Sequence, residues 1–381
     1  MTLANALLEL GHTVDIMGRS DRHGPGSAAQ IGFRGRVLPG FAFRRPGWKE
    51  AQLGFFNPLK RPWFAHRIAR AIERVAGRYD VVHYHGHLPM TGRYLPGTLN
   101  FVQTRHDQGS ECLIALRFKD GQPCAALAAR ECAGCIHPGP GPLRRALSGR
   151  AVRRYRLETA EAFARHKTIF VSDFLRRAFL RAVPGADLSR ACVIHNFVSY
   201  PYLKARAVPA GQVRQGEVLL AGRIDAGKGF GEFLSWLDGH LPAGSRVAIV
   251  GDGPLKAGLE QRHAGPAIRF LGWRPYDEVV RRAARAHLCV VPSVWEEPCG
   301  TTVIEALALG KPCLALARGG TPELAACACY PGQLQLAATM PELVAHLVGQ
   351  LARAPHTAPL PDQFPMDVYQ TIPKILECYA G

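Results

Sequence analysis

Residues 293–312 read SVWEEPCGTTVIEALALGKP. The apolar run HLCVVPS (287–293) leads into this stretch as a strand that stops at Pro292. A helix starts at about Thr301, with Gly310 as its natural stop. Glu297 falls in the loop and Glu305 in the first helical turn or so, so both carboxylates reach one space at the helix N-terminus. The backbone N–H groups of Gly300, Thr301 and Thr302 point into that space, which suits an anionic or hydroxyl-rich ligand. Each carboxylate oxygen can accept from vicinal sugar hydroxyls. Taken alone, the same pair also fits two solvated acids favoured by the helix dipole.

The surrounding residues narrow this choice. GEVLLAGRI (216–224), SRVAIVGDG (245–253), IRFLGW (268–273), HLCVVPS and PCLALARGG (312–320) are short apolar runs separated by amphipathic helical stretches such as YDEVVRRAARA. Nearly continuous apolar strands alternating with helices predict an α/β domain with a parallel sheet covered on both faces. Its ligands would sit outside the carboxyl ends of the strands. At those ends stand Gly222 and Arg223, then Lys228 and Gly229, and further on the VGDGP turn (250–254) with Gly253. The Arg223 fork and the Lys228 ammonium can hold a diphosphate, and Gly229 admits close backbone approach.

In this order, GR…KG, GDGP, EEPCGTTVIEALALGKP and ARGGTPEL (317–324) resemble the C-terminal domain of retaining glycosyltransferases of family 4. The resemblance covers roughly residues 80–325 and is most specific in the second half. It implies a GT-B fold, in which two Rossmann-like domains face each other across a cleft. It also implies that Arg223 and Lys228 hold the donor diphosphate and that Glu305 accepts from the ribose hydroxyls. Glu297 would contact the transferred sugar, and the backbone at Gly300, Thr301 and Thr302 would hold sugar or phosphate oxygens. Gly222 and Gly253 would line the donor pocket.

The first half repeats the rhythm less cleanly, with HTVDIMG, YDVVHYH, LNFVQTRHD, KTIFVSD and ACVIHNF as strands. By the resemblance, His106 is the histidine near the donor sugar, and Asn196 helps shape the cleft. His83, His85 and His87 alternate, so as a strand they would share one face. They fit either ordinary strand-end histidines or a metal site for which the family offers no counterpart. The expected domains are residues 1–200, which bind the acceptor, residues 201–365, which bind the nucleotide-sugar, and residues 366–381, a helix returning to the first domain. The stretch Val208–Gly216, rich in Pro, Gly and Gln, reads as a linker. The chain opens on a helical TLANALLELGH, without the strand and Gly-rich turn that normally begin a Rossmann-like domain. An open sheet edge is therefore expected there.

Charge separates the halves. Residues 1–200 carry 30 Lys and Arg against 14 Asp and Glu, whereas residues 201–381 carry 17 against 16. A single basic half points to an anionic partner on one domain. The densest run is GPLRRALSGRAVRRYRLETAEAFARH (141–166), with basic, aromatic-bearing RRPGWK (44–49) and LKRPW (59–63) upstream. No run of about 18 apolar residues suggests a membrane span, and Glu9 and Asp15 interrupt any signal-peptide core. The 11 cysteines, odd in number and without an export signal, fit a reducing cytoplasm. Cys112, Cys124, Cys132 and Cys135 cluster as C-x11-C-x7-C-x2-C, which fits either a structural zinc or free buried thiols.

The expected activity is retaining transfer of a hexose-type sugar from a nucleotide-diphosphate sugar. The acceptor would be an anionic or lipid-linked saccharide, in cell-envelope or exopolysaccharide synthesis. No catalytic metal is expected, since no Asp-x-Asp clasp occurs. A cytoplasmic protein resting on the inner membrane face is the matching location. Two alternatives remain at this point. One is a basic, nucleic-acid-associated module with a Rossmann core, and the other is an inactive transferase-like scaffold.

Overall fold

The computed structural model describes residues 1–19, 32–41, 54–136, 141–355 and 359–380. The chain forms two compact units. One comprises Met1–Arg117, Ala125–His195 and Thr371–Gly381, and the other Phe118–Cys124 and Asn196–Gln370. The boundary thus falls before Asn196. The stretch expected as a linker lies inside the second unit, as a short turn over Ala210–Gln212 running into a strand.

The first unit contains parallel strands β1 (Asp15–Arg19), β2 (Arg36–Phe41), β3 (Val82–Tyr84) and β4 (Phe101–Arg105). The two-stranded hairpin of β5 (Phe118–Lys119) and β6 (Gln122–Pro123) belongs to the second unit, and the first unit resumes with β7 (Lys167–Phe170) and β8 (Ala191–Val193). β1 pairs with β2, while β3-β4-β7-β8 make a separate parallel sheet. Helices Arg61–Ala76 and Pro142–Arg165 pack their apolar residues, among them Phe64, Ile68, Val152 and Tyr155, into one core with Phe101. The last helix, Val368–Ala380, buries Ile372 and Ile375. Its far end is tied to the first unit: Lys167 Nζ donates to the Cys378 carbonyl at 2.8 Å, and Asn100 Nδ2 to the Tyr379 carbonyl at 2.8 Å.

The second unit holds one all-parallel sheet of six strands. These are β9 (Arg214–Ala221), β10 (Arg246–Val250), β11 (Ile268–Gly272), β12 (Ala286–Val291), β13 (Cys313–Leu316) and β14 (Leu334–Ala337). The order is β11-β10-β9-β12-β13-β14, so the sheet switches direction of growth between β9 and β12. Helices cover it because their apolar faces need it: Phe233 and Leu237 from Phe230–Leu237, and Leu343 and Leu347 from Met340–Leu351, are fully buried against Val218 and Leu314. Burial of such side chains contributes roughly 1.5–3 kcal/mol each. The α/β doubly layered architecture expected from the alternating strands and helices is the one observed.

Candidate active site

Everything that the donor-type motifs supply in the second unit lies beyond the carboxyl ends of β9, β10 and β12, where the strand order reverses. Three turns meet there, and glycine makes the meeting possible. Gly251 has φ +143°, and a Cβ on it would lie 1.8 Å from the Gly222 carbonyl oxygen. Gly222 N in turn donates to Val250 O, and Ile224 N to Asp252 O, both at 2.9 Å. Gly222, Gly251 and Gly253 therefore serve backbone-to-backbone contact between the GR and GDGP turns.

The turn after β9 is then fastened to the loop after β12. Asp225 caps it, its Oδ1 accepting from Lys228 N at 3.1 Å. Val294 N and Trp295 N both donate to Gly227 O, at 3.0 and 3.1 Å. Gly229, at φ +68°, sits where a Cβ would lie 2.0 Å from Pro292 O. This stitching brings Lys228 Nζ onto Glu297 Oε1, which also accepts from Ser293 Oγ at 2.8 Å. Glu297 is buried, while Lys228 keeps about a quarter of its side chain exposed. Arg223 is two-thirds exposed, with its Nη2 2.5 Å from Asp225 Oδ2. The backbone of Glu297 is held as well: Gly320 N donates to its carbonyl at 2.7 Å, and Gly319 (φ +58°) lies too close to it for any side chain.

The helix Thr301–Ala308 starts at Gly300 without a side-chain cap, leaving its first N–H groups available. Asn196 Nδ2 donates to the Cys299 carbonyl at 2.9 Å and so fixes the approach to that helix. Glu305 stands one turn further in than the sequence suggests. It lines a small apolar cavity with Leu219, Ala221, Val280, Cys289 and Thr302. The residue keeps a partly accessible edge. The apolar surroundings nevertheless push its carboxyl up to about 7, against the opposing hydrogen bond from the Tyr276 hydroxyl. Tyr276 is half exposed and stacks on Tyr202, with ring centroids 5.8 Å apart.

Lys228 and Glu297 are thus brought into contact, and Arg223 lies on the same stitched turn. Glu305 takes a different partner, Tyr276. Asp225, Ser293 and Tyr276 were missed from the sequence. The spacing R-x-D-x-x-K carried a signal for Asp225, whereas nothing marked Ser293 or Tyr276.

In the first unit, His106 follows β4 and is exposed, and its Nε2 lies 2.9 Å from His85 Nδ1. The alternation of three histidines on one strand face is corrected. β3 ends at Tyr84, and the Gly86 carbonyl is pinned by Arg105 Nη1 at 2.8 Å. His87 then lies 3.8 Å from Asp107. Among the described residues, Cys112, Cys124, Cys132 and Cys135 form no disulfide. Cys132 Sγ lies 3.2 Å from the donating Arg156 Nη2. Among the described residues no three His, Cys, Asp or Glu side chains gather as a metal site.

The basic run divides. Arg156 is buried and donates to the Glu111 and Leu127 carbonyls, and Arg154 pairs with Glu158 at 2.6 Å. Arg144, Arg145, Arg150 and Arg153 are exposed, with Leu143 and Leu147 exposed beside them. The RRPGWK stretch lies outside the described residues. No described helix is long and apolar enough to cross a membrane.

Two Rossmann-like units with this donor-type end define a GT-B glycosyltransferase. The model of the family described as Glycosyltransferase Family 4 matches residues 1–200, and that of Glycosyl transferases group 1 matches residues 215–351; the chain belongs to this family. It is 34% identical to a sulfoquinovosyl transferase of Arabidopsis thaliana over 114 residues, which are 30% of this chain and 22% of that protein. A glycosyltransferase from Rickettsia africae shares the fold with a TM-score of 0.61 at 15% identity, over 99% of this chain and 92% of that one. An Anabaena protein solved in complex with UDP gives 0.58 at 17% identity, over 96% and 99% of the two chains.

Proposed function

We propose that this glycosyltransferase moves a hexose-type sugar, with retention, from a nucleotide-diphosphate sugar to an anionic or lipid-linked saccharide. The observation that carries this reading is the Lys228–Glu297–Ser293 cluster, stitched beside exposed Arg223 and next to an uncapped helix start. Arg223 and Lys228 would stabilise the negative charge that grows on the diphosphate as the glycosidic bond breaks. Glu297, freed from Lys228 by the phosphates, would accept from the sugar hydroxyls, and Glu305 from the ribose. The departing diphosphate would take the acceptor's proton on the same face, so that no protein nucleophile is required. UDP bound to the Anabaena relative favours a uridine donor. The exposed Arg144, Arg145, Leu143 and Leu147 support an acceptor held at an anionic membrane surface.

A thermal-shift panel of UDP-, GDP- and ADP-sugars tests the donor, because a ligand that binds the folded state raises apparent stability by mass action. UDP-sugars should give the largest shift, and the product anomer, read by NMR, should match the donor's. No shift with any donor, or an inverted product, would remove this reading.

A further inference from the structure

β3 and β4 are parallel neighbours in register Val82↔Phe101 to Tyr84↔Gln103, so the residues that follow them leave one sheet edge side by side. Three imidazoles gather there. Both nitrogens of the His83 ring are engaged: Nδ1 lies 2.6 Å from the Tyr379 hydroxyl, and Nε2 lies 2.7 Å from Thr104 Oγ1. A ring held at both ends cannot turn. The His85 ring lies against it, centroid to centroid at 4.1 Å. His85 Nδ1 then meets His106 Nε2 at 2.9 Å, with the two rings near parallel at 25°.

A hydrogen bond between two imidazole nitrogens requires one N–H and one bare nitrogen. It therefore excludes the state in which both facing nitrogens carry protons, and it couples the tautomer of His106 to that of His85. With Nε2 committed to His85, that nitrogen of His106 is not presented to a ligand. The same placement fixes the plane of the His106 ring, which a lone strand-end histidine would leave free to rotate about χ2.

We propose that His85 is a positioning residue, fixing the tautomer and ring plane of His106, and that His83, anchored by Thr104 and by Tyr379 of the C-terminal helix, holds His85 in place. This rests on the assignment of His106 to the transferred sugar. On that assignment, the C-terminal helix contributes to catalysis through the order it imposes on one imidazole, although it contacts no reacting atom.

The test uses the full chain labelled with 15N at histidine. Long-range 1H–15N correlations should show His106 in a single neutral tautomer. His85→Ala should turn that pattern into an average of two tautomers. His85→Asn, whose side-chain amide reaches the place of Nδ1, should restore one, and Tyr379→Phe should give a smaller change than His85→Ala. An unchanged His106 pattern in His85→Ala overturns the proposal whatever the enzyme turns over. In parallel, UDP release from UDP-glucose should fall at least about tenfold in kcat for His85→Ala, with little change in KM and recovery in His85→Asn. Normal kcat in His85→Ala beside a deficient His106→Ala also overturns it. Normal kcat in His106→Ala itself would instead remove the assignment of His106, and the tautomer measurement would then decide the positioning claim alone.

Discussion

The two units arrange polar groups in opposite ways. In the second unit the candidate site is made by main chain meeting main chain. Gly222, Gly229, Gly251 and Gly319 allow turns to touch, and only then do Lys228 and Glu297 come together. In the first unit the comparable strand ends carry side chains that meet one another, with three imidazoles held through Thr104 and Tyr379. Backbone contact tolerates almost no substitution, because a carbonyl cannot move aside as a side chain can. Side-chain order is built from several weaker contacts and should fail gradually.

That contrast predicts a graded series. Gly251→Ala should be worst, because its Cβ would overlap the Gly222 carbonyl and its φ lies in a region restricted to glycine. Overlap and strain together should cost about 4 kcal/mol, read as the urea midpoint at constant m. A loss below about 1 kcal/mol would mean that the turns are not rigidly packed.

Next comes Lys228→Met, which leaves the buried Glu297 carboxylate with Ser293 but without its cation. Breaking such a pair costs about 3 kcal/mol. Adding Glu297→Gln should recover most of that stability without recovering turnover. A double variant that regains activity would show that the pair serves folding alone.

Glu305→Ala should weaken donor binding by about 1.5–3 kcal/mol, measured by titration calorimetry, while Tyr276→Phe should weaken it less. Equal donor affinity in Glu305→Ala and the parent would sever the link between the apolar cavity and the ribose.

Glu305 also predicts a pH effect. Its folded value is raised from 4.5 to about 7, so between those values the folded state binds more protons than the unfolded. Its contribution to stability is therefore full below pH 4.5 and is lost as pH rises towards 7. Glu305→Gln should flatten the melting temperature over that window relative to the parent. An identical slope in both proteins would assign the window to other groups.

The smallest effect belongs to the basic surface. Each of Arg144, Arg145 and Arg150 changed to Gln should lower association with phosphatidylserine vesicles by about 1 kcal/mol or less. The loss should fade at high salt, with nucleotide binding unaffected. Unchanged vesicle binding in the triple variant would point to an acceptor bound elsewhere.

How much of this was legible in the sequence follows the same contrast. The second unit's strands announced themselves as apolar runs ending in Gly or Pro, and β9 to β13 fall where those runs lie. The stretch from Ser293 to Pro312 pointed to Glu297 and Lys228 because motif order survives in one dimension. β14 escaped, since LQLA offers four residues with a polar interruption. β2 did too, because RVLPGF carries Pro39 and Gly40 where a strand would be expected to alternate. Tyr276 was invisible because it reaches Glu305 from another helix, Tyr276–Arg285 against Thr301–Ala308, a pairing that no sequence spacing marks. The histidines were misjudged as one strand face because β3 stops at Tyr84, before His85 and His87, and the run itself carries no stop signal there.

The raised carboxyl of Glu305 has a calorimetric consequence. Near pH 7 it is partly protonated, while a ribose would dock on the ionised form. Donor binding should then expel a fraction of a proton per site into solution. The apparent heat of binding will differ between phosphate and Tris by the difference in their ionisation enthalpies, scaled by that fraction. In Glu305→Gln the two buffers should report the same heat.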